Sequence, residues 1–217
     1  MIADMQKWTP NIASIIEHAN QFHPNTEVVS RMVSGNIHKT NYSEVCTRSR
    51  KLASALEKDG YKEGDVIATL ALNTYRHLEM YYGISGMGGI NHTLNFRLHP
   101  EQAVYIINHA EDKVIFCETP FIPILEGLQE NLECVEKYII LCDTSEMPDT
   151  KLKNAISYEE YIKDGDENYE WPALADDAAC ALCYTSGTTG NPKGVLYSHK
   201  SNILHCLLYT SPSPRDA

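Results

Sequence analysis

The sequence contains no apolar run that approaches the roughly 20 residues a helix needs to cross a membrane. Its first residues, MIADMQK, lack the charged-then-apolar layout of a secretory signal. These two absences argue against a transmembrane segment and against export. We therefore expect a soluble protein of the cytoplasm.

Basic residues are scarce, with 18 Lys and Arg against 29 Asp and Glu, for a net charge of −11. This balance argues against a general nucleic-acid binder, which needs a basic patch. It does not exclude anionic small molecules, because single lysines and backbone dipoles act locally. We attribute the acidity to solubility.

A disulfide framework is also missing, because the seven cysteines are odd in number and scattered. Cys180 and Cys183 form the one C-x-x-C pair, and strand residues three apart point to opposite faces. We expect buried, reduced thiols rather than a redox or zinc site. The nine histidines show no metal-ligand spacing.

Helical and strand patterns alternate along the chain. Repeated β-α-β units favour an α/β fold with a mostly parallel sheet covered by helices. A capping box formed by Asn41 and Glu44 is expected to open the second helix. The helical patterns cover 11–21, 41–59, 76–85, 100–110, 120–130 and 158–163; the strand patterns cover 27–32, 36–39, 66–72, 92–95, 113–118, 137–143, 178–184 and 194–197.

Two glycine-rich stretches invite a phosphate-binding interpretation. Gly83, Gly86, Gly88 and Gly89 follow an aromatic helical pattern and have no lysine or hydroxyl cluster beside them, so close packing and a helix stop are expected there. The stretch YTSGTTGNPKGV at 184–195 differs, because it joins three glycines, four hydroxyl side chains and one lysine between two apolar runs.

That second stretch has the chemistry of a loop that holds a polyphosphate. Glycines let several backbone N–H groups approach an anion, hydroxyls donate hydrogen bonds or ligate Mg²⁺, and a lysine supplies a point charge. It is not a Walker A loop, because Pro192 and Gly194 flank Lys193, and it lacks the third glycine of a dinucleotide-binding fingerprint. The alternative is a surface turn rich in Ser, Thr and Gly.

The same string resembles the phosphate-binding loop of the adenylate-forming superfamily. The segments RHLEMYYGISG at 76–86, HTLNFRL at 92–98, YIINHAED at 105–112 and YSHK at 197–200 resemble its acyl-CoA synthetase branch. That branch holds medium- and long-chain fatty acid–CoA ligases and 3-(methylthio)propionate–CoA ligases. The resemblance runs from about Ile12 to His205 and implies the N-terminal part of the large domain of such an enzyme.

The resemblance implies an ATP-dependent acid–thiol ligase that makes an acyl-AMP and then a thioester with coenzyme A. Its partners would be ATP, Mg²⁺, coenzyme A and a small carboxylic acid, with a possible homodimer. The residues expected to hold the ATP phosphates are Thr185, Ser186, Gly187, Thr188, Thr189, Gly190 and Lys193, with Thr185 also the Mg²⁺ ligand. The alternative is a non-catalytic fragment of the same fold that binds nucleotide or a partner.

The family's later motifs and its C-terminal catalytic lysine have no counterpart here, so no catalytic residue is assigned. We expect residues 1–205 to be an incomplete AMP-binding domain that is inactive alone. Residues 206–217 are expected to be a tail foreign to the family that leaves the helical path, because Pro212 and Pro214 would break a helix.

Overall fold

The computed structural model describes residues 9–185 and 191–210, and the side chains of 208–210 are not considered. A seven-stranded sheet in the order β7-β6-β5-β3-β4-β8-β9 forms its centre, and every neighbouring pair is parallel except β8 with β9. The strands of this sheet are β3 (Val66–Leu70), β4 (Ile90–Thr93), β5 (Val114–Cys117), β6 (Lys137–Ile140), β7 (Ala155–Ser157), β8 (Ala179–Thr185) and β9 (Lys193–Ser198). The predicted α/β class and mostly parallel sheet are confirmed.

The first two strands lie apart from this sheet as an antiparallel hairpin. These are β1 (Glu27–Arg31) and β2 (Ile37–Asn41), joined across Gly35, whose φ is +87°. The helices of the described part are α1 (Ala13–Phe22), α2 (Tyr42–Lys58), α3 (Tyr75–Gly86), α4 (Pro100–Ala110), α5 (Ile122–Leu128), α6 (Tyr158–Ile162) and α7 (His199–Thr210). Most predicted elements are confirmed with ends shifted by a few residues, whereas the sequence patterns missed β7.

Alternation along the buried strands divides the core between the two faces of the sheet. Phe116 of β5 joins a cluster with Leu52 of α2 and Met80 of α3, whereas its neighbour Ile115 joins a second cluster with Ile107 of α4. Successive strand residues point to opposite faces, so α2 and α3 cover one face and α4 covers the other. The helices that follow β3 and β4, which are α3 and α4, therefore pack on opposite faces of the sheet.

Half of the predicted capping box forms at the start of α2. The Asn41 side chain accepts a hydrogen bond from the Glu44 backbone N–H at 2.9 Å. The Glu44 carboxylate bonds to the Thr40 hydroxyl instead of reaching back to the Asn41 N–H. The Asn41 side chain thus satisfies one backbone N–H that has no partner within the helix, and this stabilises the first turn of α2.

Helix α7 corrects the expectation for the end of the chain. It runs from His199 to Thr210, so the segment after His205 continues the helix for five more residues instead of leaving it. No proline lies in that stretch; Pro212 and Pro214 come after the helix and lie outside the described residues. Whether 206–217 is a separate tail, as the division at 205 predicts, stays a prediction.

Candidate functional site

The two ends of the predicted phosphate loop are brought together by strand pairing. Thr185 is the last residue of β8 and Lys193 the first of β9, and the two are direct partners in the antiparallel register. Both are exposed, and in the described part of the chain Lys193 forms no ion pair. The loop therefore leaves and re-enters the sheet at one point, with a hydroxyl and an ammonium side by side.

The structure does not test the middle of the predicted loop. Ser186, Gly187, Thr188, Thr189 and Gly190 lie outside the described residues. Their assignment to phosphate binding, and that of Thr185 to Mg²⁺, stays a prediction. The described residues contain no group of three or more His, Cys, Asp or Glu side chains that could hold a metal ion.

Tyr184 anchors the start of the loop to helix α4. Its hydroxyl lies 2.6 Å from His109 Nδ1, and its ring lies 5.2 Å from the ring of His92, centroid to centroid. The parallel pairing of β4 with β8 places His92 opposite Leu182, two residues before Tyr184. Both histidines therefore take part in packing and hydrogen bonding at the point where the loop leaves the sheet.

His92 itself forms a buried pair with Asp112, a residue to which the sequence analysis gave no role. Nδ1 of His92 lies 2.8 Å and 3.0 Å from the two carboxylate oxygens, and both side chains are buried. Burial raises the pKa of Asp112, and the hydrogen bond from His92 lowers it in part. The pair is 20 residues apart in sequence, so no local pattern could have indicated it.

A cavity of about 360 Å³ opens between this pair and the ends of the loop. Its lining joins β4, α4 and both flanks of the loop, including His92, Thr93, Gln102, Tyr184, Thr185 and Pro192. The carboxyl ends of parallel strands are where α/β folds bind ligands, because the connecting loops meet there. The predicted phosphate loop therefore borders a cavity with both polar and apolar walls at the expected edge of the sheet.

A second polar cluster joins α2, α3 and α6. Glu79 is fully buried and accepts hydrogen bonds from Arg48 Nε at 2.7 Å and from the Tyr158 hydroxyl at 2.9 Å. Glu159 accepts from both Arg48 and Arg76. Burial raises the pKa of Glu79 to about 7, against the opposing charge of Arg48. Because both guanidinium groups are already paired, we interpret this cluster as structural.

The glycines of α3 are explained by packing, as the sequence predicted. A Cβ at Gly83 would lie 2.9 Å from Leu52 Cδ2 and 2.9 Å from the Ser49 carbonyl oxygen, and one at Gly86 would lie 2.6 Å from the Trp171 ring. Gly88 has a φ of +99°. These positions require glycine because any side chain would prevent the close contact of helices and backbone. Residues 184–195 therefore remain as the candidate phosphate loop.

Comparison with known proteins places this architecture in a family. The sequence profile described as AMP-binding enzyme matches residues 16–216. The chain is 44% identical over 212 residues to a medium-chain-fatty-acid–CoA ligase of Ectopseudomonas oleovorans, covering 98% of this chain and 39% of that protein. It is 42% identical to a 3-methylmercaptopropionyl-CoA ligase of Ruegeria pomeroyi, covering 94% and 38%.

A solved structure of the anthranilate CoA ligase AuaEII in complex with anthranoyl-AMP matches the fold with a TM-score of 0.84 at 23% identity, over 96% of this chain and 38% of that one. The chain thus spans about two-fifths of the length of the relatives it matches. No helix in the described part of the chain is long and apolar enough to cross a membrane. On the strength of the profile match over residues 16–216, the chain belongs to the AMP-binding enzyme family.

Proposed function

We propose that this chain supplies the phosphate-binding part of an ATP-dependent acyl-CoA ligase that acts on a fatty acid or on 3-(methylthio)propionate. The observation that carries the proposal is the pairing of Thr185 with Lys193 at the edge of the sheet, in a chain that belongs to the AMP-binding enzyme family. The two relatives above, which are named as ligases of these acids, support the substrate class.

In the proposed first step a carboxylate oxygen attacks the α-phosphorus of ATP. The bond from that phosphorus to the bridging oxygen breaks, and pyrophosphate leaves with the electron pair. Negative charge therefore grows on the leaving group, and a fixed cation beside it lowers the barrier. We propose that the ammonium of Lys193 contacts the β- and γ-phosphates, and its position at the point where the loop returns to the sheet supports this role.

The Thr185 hydroxyl is proposed to contact the same phosphates and to ligate Mg²⁺. Magnesium is commonly held by one or two protein oxygens together with substrate phosphates and water, so one exposed hydroxyl at the loop entry fits it. When bound, the ion would neutralise phosphate charge as a Lewis acid. In the second step the thiol of coenzyme A attacks the acyl carbonyl and displaces AMP. This chain supplies no residue that we assign to that step.

The test is ATP–pyrophosphate exchange in a full-length ligase that carries this segment. We expect Lys193→Ala to slow exchange by about 10²- to 10³-fold, the usual effect of losing one preorganised charge-stabilising group. Lys200→Ala is the matched control, because Lys200 is also exposed and pairs only with the exposed Asp176 among the described residues. Exchange that is equally fast in both variants would contradict the assignment.

The role of Thr185 is tested by a pair of substitutions in the same assay. Thr185→Ser keeps the hydroxyl and should retain most of the exchange activity, whereas Thr185→Ala should lose it and should need more Mg²⁺ for half-maximal rate. An identical Mg²⁺ dependence in the two variants would refute the metal assignment. A homodimer, a cytoplasmic location and the use of coenzyme A stay predictions.

A further inference from the structure

Strand β9 closes the seven-stranded sheet with an outer edge that no described strand pairs with. It stands last in the strand order, with β8 as its one neighbour among the described strands. Each of the other six strands of this sheet contains at least one buried residue, whereas β9 contains none. An edge strand of this kind presents a row of backbone N–H and C=O groups with which another strand can pair.

The side chains of β9 make this edge apolar on both faces of the sheet. Val195, Leu196 and Tyr197 are 41%, 59% and 44% exposed, and they form the one run of three consecutive exposed large apolar residues in the described part of the chain. Because successive strand residues point to opposite faces, Leu196 lies on one face and the other two on the opposite face. A continuous apolar run is typical of a strand that is buried on both faces.

The features that protect natural edge strands are missing from β9. Proteins commonly keep edge strands very short or place proline or inward-pointing charges on them. The opposite edge strand, β7, follows this rule with three residues. Strand β9 has six residues, no proline, and one charged residue, Lys193, at its first position. Its outer edge is therefore open to a further strand.

The sequence of β9 is complementary to itself in one antiparallel register. A two-fold axis through Leu196, normal to the sheet, places Leu196 against its own copy and Val195 against Tyr197 of the second copy. The symmetry forms the Val–Tyr contact twice, and pairs of an aromatic with a β-branched residue are favourable across antiparallel strands. An axis through Val195 would instead place Gly194 against Leu196 and Lys193 against Tyr197, which removes these apolar pairs.

Charge is compatible with this register and sets its strength. The two copies of Lys193 would lie about 20 Å apart along the strands, at about 3.4 Å per residue, which exceeds the Debye length of about 8 Å in physiological salt. The whole chains carry −11 each and repel one another at longer range, so added salt should favour association. Six residues a side are few beside the roughly 20–30 of a standard interface, so we expect a weak dimer.

We propose that the outer edge of β9 is a docking surface for a second copy of this chain, which pairs with it antiparallel and with Leu196 on the two-fold axis. The two seven-stranded sheets then continue into each other across the axis. The outward N–H and C=O groups of β9 gain partners, and its apolar side chains gain cross-strand neighbours. The proposal needs only the strand edge, so it stands or falls separately from the proposed function.

Cysteine trapping tests the pairing and its register. Val195→Cys and Tyr197→Cys chains are mixed and treated with oxidised glutathione, which takes up the two electrons released when two thiols form one disulfide. Directly opposed residues have Cα atoms about 4.5–5.5 Å apart, within the range of about 4.4–6.8 Å that a disulfide needs. Two copies of the same variant hold their cysteines about 7–8 Å apart on the diagonal. We therefore expect the mixture to give a disulfide-linked dimer that neither variant gives alone.

Leu196→Cys gives a second reading, because a cysteine on the axis pairs with its own copy. Leu204→Cys is the matched control, since Leu204 is 49% exposed but lies on α7. We expect a covalent dimer from Leu196→Cys, and from Leu204→Cys only the background that the seven native cysteines of the wild-type chain produce. Circular dichroism of each variant checks that it folds.

Sedimentation velocity and hydrogen exchange examine the wild-type chain without any cross-link. We expect a dimer whose fraction rises with protein concentration and with salt, and amides of residues 193–198 that exchange more slowly as the dimer forms. Failure of either the mixture or Leu196→Cys to give a covalent dimer would overturn the inference, as would equal trapping by Leu204→Cys. A chain that stays monomeric while these amides are protected at every concentration would also overturn it, because another segment of the same chain would then cover the edge.

Discussion

Alanine at Gly83 provides a sharp test of why helix α3 carries glycine. Replacing glycine by alanine inside a helix stabilises it by up to about 1 kcal/mol through propensity alone. At Gly83 the new Cβ would lie 2.9 Å from Leu52 Cδ2 and 2.9 Å from the Ser49 carbonyl oxygen of α2. Overpacking of this kind costs about 1–3 kcal/mol, and the backbone oxygen moves less easily than a side chain.

Gly127 in α5 offers the matched control. A Cβ there meets nothing within 4 Å, and its φ is not positive, so Gly127→Ala should stabilise the chain by about 0.5–1 kcal/mol. The propensity gain is similar in both variants and largely cancels in the comparison. The difference between their free energies of unfolding therefore measures the packing cost, about 1–3 kcal/mol.

Urea denaturation monitored by circular dichroism gives both free energies, and thermal melts give a second reading. For a chain of this size each kcal/mol shifts Tm by about 2–4 °C, so Gly83→Ala should melt several degrees below Gly127→Ala. Equal stabilisation by the two alanines would refute the argument. It would show that the contact between α2 and α3 does not require glycine.

Three further predictions concern charge and exposed surface. Glu79→Ala should lower the free energy of unfolding, measured by urea denaturation, by about 3–5 kcal/mol, because it leaves Arg48 and Tyr158 without their buried partner. The control Glu160→Ala removes one exposed ion pair and should change that free energy by less than about 1 kcal/mol. Similar losses in the two variants would contradict this prediction. Burial raises the pKa of Glu118 to about 7, so at intermediate pH the folded state holds a proton that the unfolded state releases. The contribution of the protonated Glu118 to the free energy of unfolding is therefore present at low pH and is lost as pH rises through 7. Glu118→Gln should therefore gain about 1–3 kcal/mol relative to wild type between pH 5 and pH 8, and a pH-independent difference would refute the assigned pKa. Leu196→Lys should reduce self-association in sedimentation velocity, because Leu196 is 59% exposed on the edge strand β9; unchanged association would exclude this edge.

The charged cluster of α2, α3 and α6 also ties these helices to the segment that follows β6. Arg48 and Arg76 both reach Glu159, which is brought beside α3 by the short strand β7 and helix α6. Arg76 bonds further to the Leu141 carbonyl and to Asp143, after β6. Side chains that carry full charges thereby join α2, α3, the end of β6 and α6. We therefore assign this cluster a role in stability rather than in catalysis.

The sequence by itself determined the fold class, the order of most helices and strands, and the position of the candidate phosphate loop. These features are local: apolar periodicity, glycine, proline and capping residues act within a few positions of one another. The loop string was identifiable for the same reason, because its residues are contiguous from Tyr184 to Val195. The packing role of the α3 glycines also followed from what stands beside them in the chain.

Only the tertiary structure decided which distant residues meet. The pairing of Thr185 with Lys193 depends on β9 running antiparallel to β8, and the contact of His92 with Asp112 depends on how β4, α4 and β5 are placed around the sheet. The strand β7 is three residues long and gains its partners from β6, so no local pattern indicated it. Strand order and register are set by long-range burial and backbone pairing, and a periodic pattern within one segment carries no record of its neighbours.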